Sequence, residues 1–125
     1  MKRDMDLVRE LLIAIEDGDK GTDDWIELDS CGKDELTIHS HLRLLNEAGL
    51  IEGNERQAIG IHYQFYPRRL TWLGHDFLDS IRDPEIWRQT KEGAKAAGGF
   101  TVELLGDLAK GLIKTQIKKH TGVEI

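Results

Sequence analysis

The chain has 125 residues, 39% hydrophobic and 32% charged, with a formal net charge of −6. These totals suit one soluble domain with a modest core, and no apolar run approaches the ~18 residues of a membrane span. The single cysteine, Cys31, excludes an intrachain disulfide and a multi-cysteine zinc site; with a charged start that lacks an apolar leader segment, it suits a cytoplasmic protein.

The charge is unevenly placed. Residues 1–35 carry 5 Lys/Arg against 12 Asp/Glu, residues 36–75 carry 4 against 3, and residues 76–125 carry 8 against 8. Nucleic-acid binders usually present a basic excess, and this chain has none in bulk.

A first helix is marked by Met5, Val8, Leu11, Leu12 and Ile15 at three- and four-residue spacing, with Asp4 as its cap. Gly18 and Gly21 end it in the acidic loop DGDKGTDD, and WIELD, residues 25–29, alternates as a short strand does. A second helix is expected from about Lys33 to Ala48. Ile38, His41, Leu42, Leu45 and Ala48 share one side, and His39, Ser40, Arg43, Asn46 and Glu47 the other. In EAGLIEG, Gly49 stands where a left-handed cap belongs, with Leu50 after it to touch the last turn.

The period then changes from 3.6 to 2. Leu50 and Ile51 begin a strand and GNERQ forms a polar tip. Ile59, Ile61, Tyr63 and Phe65 then alternate with Gly60, His62, Gln64 and Tyr66. This reads as a hairpin whose ladder Pro67 breaks. Thr71 caps a third helix with Trp72 first and Leu73, Phe77, Leu78 and Ile81 on its apolar face. Asp83, Pro84 and Glu85 open a fourth helix at about 84–97, with Ile86, Trp87, Thr90 and Ala94 on one face. AAGGF stops it, and Thr101 caps a fifth at about 102–119, striped by Val102, Leu105, Leu108, Ala109 and Leu112.

This order predicts a single α+β domain. Its core is a winged helix, helix-turn-helix-like, over residues 1–82, with a β-hairpin wing. Two further helices over 83–125 pack on the core or pair two chains as a homodimer. One feature departs from the pattern: a helix-turn-helix needs a short helix before the reading helix, and residues 21–33 read as loop and strand. If the second helix entered a major groove, His39, Ser40, Arg43 and Asn46 could reach base edges or phosphates. Lys33, Arg56, Arg68 and Arg69 could reach phosphates, while Glu47 and Glu52 would be repelled. The bland alternative is a solvated helix face.

Other residue patterns carry less. His39 and His41 lie two apart on a helix, so they face different sides and cannot chelate one metal. With His75-Asp76 they are similar only in outline to the series that marks HD phosphohydrolases, whose all-helical core has no place for the hairpin. His41 is expected at the edge of the core, bonded to backbone, and His75, Asp76 and Asp79 on a solvated first turn. Cys31 beside Lys33 lacks an identifiable catalytic base. Trp72, Trp87 and Tyr66 are expected mainly in packing. No catalytic residue, metal or cofactor is expected.

The opening KRDMDLVRELLIAIE, the stretch HLRLLNEAGLIEG and the junction LTWLGHDFLDSIRDPEIW together resemble the domain-of-unknown-function family numbered 2513. The resemblance covers nearly the whole chain. It implies an element order like that of winged-helix regulators, in small proteins of prophages and mobile elements, and it transfers no activity, cofactor or functional residue. The expected function is a DNA-binding, transcription-regulator-like module contacting double-stranded DNA. The alternative is a non-catalytic winged-helix adaptor whose acidic surface binds a basic protein partner.

Overall fold

The computed structural model describes residues 1–28, 32–57, 60 and 63–124. Among them are five helices and one two-stranded antiparallel hairpin, an α+β fold. Internal contacts divide the chain into two compact units, Met1–His75 and Asp76–Ile125.

The first unit contains α1 (Met5–Gly18), α2 (Glu35–Glu47), β1 (Ile51–Arg56), β2 (Gln64–Leu70) and the first turn of α3 (Trp72–Ile81). Asp4 caps α1 by accepting from the Leu7 N–H at 3.1 Å, and Asp34 caps α2 by accepting from Thr37 at 2.7 Å. The apolar stripes predicted for both helices are buried: Met5, Val8, Leu11, Leu12 and Ile15 on one, Ile38, His41, Leu42 and Leu45 on the other. Ala48, expected on the buried side of the second helix, is exposed, because the helix has already ended there. Gly49 follows at φ 75°, and the Leu50 and Gly49 N–H groups donate back to Leu45 and Asn46. That pair of bonds satisfies the last carbonyls and turns the chain into β1.

β1 and β2 pair with Ile51 opposite Leu70, Glu52 opposite Arg69 and Gly53 opposite Pro67. Arg68 is therefore an extra residue, a bulge. The expectation that Pro67 breaks the ladder is corrected, since β2 runs through it to Leu70. In a two-stranded sheet both strands are edges, and the bulge adjoins the residue without an N–H, so proline is tolerated. The bulge also shifts the alternation, which lets Phe65, Pro67 and Leu70 all be buried. The expected polar tip is shorter than GNERQ, because residues 53–56 belong to β1. Ile59, Ile61 and His62, on which part of the alternation rested, lie outside the described residues.

Residues 25–28 do not form the expected strand, and Asp29 lies outside the described residues. One backbone bond ties this segment to β2: the Ile26 N–H donates to the Pro67 carbonyl at 3.0 Å. The Ile26 side chain is buried against the end of α1, where a Cβ on Gly18 would overlap it. This is a single anchor beside β2 rather than a ladder.

The second unit holds the rest of α3 with α4 (Pro84–Ala97) and α5 (Val102–Thr121). Asp83 caps α4, accepting from Glu85 and Ile86 at 2.9 Å, and Thr101 caps α5, accepting from Leu104 at 3.0 Å. Phe77, Leu78, Ile81, Ile86, Trp87, Thr90, Ala94, Leu105 and Ala109 are buried. Val102, Leu108 and Leu112 are only half-buried.

At the start of α3 the prediction needs correction. Trp72 is 85% exposed and Leu73 55% exposed. The residue that packs there is Gly74, and the reason is close backbone approach rather than side-chain bulk.

Candidate partner-binding groove

The acidic loop after α1 returns over the hairpin and forms one wall of a groove. Ile26 fixes the loop at both backbone and side chain, as described above. Trp25 stacks on Tyr66, ring centroids 4.4 Å apart and planes within 17°. The opposite wall is the first two turns of α2. The groove encloses about 780 Å³, in the range of pockets that hold a ligand or a short stretch of chain.

Its lining sorts by burial. Ile26, Ile38, Leu42, Phe65 and Pro67 are buried and form an apolar floor, while Asp23, Asp24, Glu27 and Glu35 are exposed and form an acidic rim. His39 also lines it. Its Nδ1 faces both backbone groups of Phe65, 3.0 Å from the N–H nitrogen and 3.2 Å from the carbonyl oxygen. This contact fastens α2 to β2, so His39 is a structural residue more than a free contact.

The basic candidates are mostly occupied by carboxylates. Lys33 lies 3.6 Å from Asp4 and Arg43 3.2 Å from Glu47. Arg69 bridges Asp23 at 3.0 Å and Glu52 at 2.6 Å. Those hydrogen bonds, to Asp23 first, hold its guanidinium above its ordinary value. Arg43 also lies 5.7 Å from the Tyr63 ring centroid. Burial, followed by the Glu55 charge, pushes the Tyr63 phenol up to about 12. Arg68 bonds to the Asn54 side chain, and Arg56 is exposed at the end of β1. Ser40 and Asn46 are half-buried on α2. Three of the candidates thus sit against acids, and Asp23 and Glu35 line the groove beside α2.

Two comparisons place the chain. The family model described as "Hypothetical protein (DUF2513)" matches residues 2–100. The chain belongs to that family. A protein of Haemophilus influenzae, described as an uncharacterized protein, is 31% identical to this family member over 119 residues, covering 95% of this chain and 98% of the relative. No solved structure matches.

The remaining candidates resolve simply. His41 is buried, with Nε2 accepting from the Asp4 N–H at 2.9 Å and Nδ1 donating to the Thr37 carbonyl at 2.8 Å, as expected of an edge-of-core histidine. His75, Asp76 and Asp79 are exposed, and His75 lies 3.7 Å from Glu16. Among the described residues no group of three or more His, Cys, Asp or Glu is placed to hold a metal ion, and no helix is long and apolar enough to cross a membrane. Cys31 lies outside the described residues. Sequence reasoning placed Trp25 and Ile26 in a strand and assigned them no role. The one available signal was an aromatic next to four acids in TDDWIELD.

Proposed function

We propose that the protein is a non-catalytic winged-helix module that binds a positively charged protein partner through its first unit. The groove carries this reading: an apolar floor that rewards burial of aliphatic side chains, inside a rim of four carboxylates that favours cations, Asp23 already holding Arg69. The unit that holds it is acidic as a whole, with 9 Lys/Arg against 15 Asp/Glu in residues 1–75. Helix, hairpin and helix follow in the winged-helix order, a fold used for protein contacts as well as for DNA. A cytoplasmic setting in a phage or other mobile element, and self-association through α4 and α5, belong to the same proposal. The half-buried Leu112, Ile113 and Ile117 on α5 support the self-association.

The hairpin favours a second reading. Arg56 and Arg68 lie on the wing, where a winged helix touches phosphates, and Arg43, Ser40 and Asn46 lie on α2. Fluorescence anisotropy with random-sequence duplex DNA, titrated with salt, separates the two. The adaptor reading expects no binding at low salt. Binding that weakens steeply as salt rises would reveal displaced counterions and establish the DNA reading. Loss of that binding in Arg56→Ala and Arg68→Ala would then place the contact on the wing.

A further inference from the structure

We infer that the groove is built for an extended, arginine-bearing segment of the partner, with an apolar residue beside the arginine. This rests on the adaptor reading and specifies its partner. Trp25 gives one face to Tyr66 and remains 54% exposed, so an indole surface stays open at the groove mouth. Asp24 and Glu27 flank it in sequence and are also exposed. A planar cation laid on that indole meets an aromatic quadrupole and two carboxylates together. Guanidinium satisfies both demands because it is flat, weakly hydrated and forked, whereas a compact ammonium satisfies only the charge.

The molecule already uses this chemistry on itself. Arg43 lies over the Tyr63 ring and binds Glu47, while Arg69 spans Asp23 and Glu52 at the edge of the same groove. Asp23 is therefore engaged, and the incoming arginine is left to Asp24 and Glu27. The floor of Ile38, Leu42 and Phe65 takes the neighbouring apolar side chain. His39, with Nδ1 engaged by Phe65, keeps Nε2 for a backbone group of the segment.

The test uses the full chain and a fluorescein-labelled octapeptide that alternates leucine and arginine. Lysine and citrulline versions serve as comparisons, and binding is read by anisotropy at physiological salt. The arginine peptide is expected to bind, the lysine peptide to bind more weakly, and the citrulline peptide not at all. Trp25→Ala is expected to weaken the arginine peptide about ten-fold, the size of one desolvated cation–aromatic contact, and Trp25→Phe to recover part of the loss. Asp24→Asn with Glu27→Gln keeps side-chain shape and is expected to weaken it similarly, with an unchanged circular dichroism spectrum and melting temperature. Trp72→Ala, outside the groove, is expected to leave binding as it was.

Equal affinity for arginine and lysine overturns the guanidinium assignment. Binding that survives both the Trp25 and the Asp24/Glu27 changes overturns the groove, while leaving a cation-binding adaptor that uses another surface. If neither cationic peptide binds, and a pull-down with unfractionated basic protein also recovers nothing, the adaptor reading falls with it.

Discussion

Gly74 lies directly over the backbone of Leu50, so close that a Cβ on Gly74 would overlap the Leu50 carbonyl oxygen. Thr71 reinforces the contact from the same turn. Its N–H donates to that carbonyl at 3.0 Å, and its hydroxyl donates to the Gly49 carbonyl at 2.5 Å while accepting from the Gly74 N–H at 3.0 Å. The chain that leaves α2 and the chain that enters α3 are thereby clasped at the base of the hairpin. The first helical turn of α3 is held by backbone bonds while Trp72 and Leu73 stay in solvent.

Gly74→Ala should therefore destabilise the protein by about 1–3 kcal/mol, the usual cost of overpacking. The direction is diagnostic, since alanine for glycine in an open helix gains about 1 kcal/mol. Urea unfolding decides it: the midpoint should fall with an unchanged slope. A rise in midpoint would show that the two backbones can separate without cost.

His41→Leu should cost about 1–3 kcal/mol, although leucine suits a buried site, because the Asp4 N–H would be left without an acceptor in a partly buried position. The imidazole accepts there and donates to Thr37, so it joins the start of α1 to α2. The same urea measurement reads the loss. Amide exchange at Asp4 should accelerate more than exchange in the middle of α1, which distinguishes a lost bond from a general loosening.

Arg88 holds the Glu85 carboxyl down at about 2, from an ordinary 4.5, mainly through hydrogen bonds from Arg88 and then Gln89. A depressed carboxylate stabilises the fold fully above about 4.5, and that contribution disappears as the pH falls from there towards 2. Melting temperatures of the native protein and Arg88→Ala should differ by a constant amount near neutral pH and converge across that window. Because both groups are exposed, the difference should be small and should shrink with added salt.

Tyr63 shows the opposite sign. Its phenol is raised from 10.0 to about 12, first by burial and then by Glu55, so the folded state favours the neutral form. That contribution is complete below about 10 and is lost as the pH rises through 12. The ultraviolet difference titration between the native protein and Tyr63→Phe should have its midpoint near 12 in buffer and near 10 in concentrated urea. A midpoint near 10 in buffer would show the ring to be solvated.

Much of the fold was legible because local signals agreed. Asp4, Asp83 and Thr101 each stood one residue before an apolar repeat, and each accepts the expected N–H. Gly49 marked the end of α2 because a left-handed residue is needed there. The candidate site was not legible in the same way. Lys33 and Arg69 read as phosphate contacts because the sequence shows charge without distant neighbours. Their partners stand 29 and 46 residues away, at Asp4 and Asp23, whereas the Arg43–Glu47 pair, four apart on α2, is a short-range one. Pro67 looked like a terminator because proline removes a ladder donor, and only the register of β1 shows the bulge that accommodates it.

What the sequence by itself determined was the succession of elements: helix, helix, hairpin and three helices, each delimited by caps, glycines and a change of hydrophobic period. These are short-range properties, set within a turn or two of chain by backbone hydrogen bonds that must be satisfied. Only the tertiary structure decided which polar residues remain available. Burial of Ile26 against Gly18 and its bond to Pro67 carry an acidic loop onto the hairpin. That packing places carboxylates and a stacked indole beside α2, and the first two turns of that helix, His39 among them, become one wall of an acid-rimmed groove.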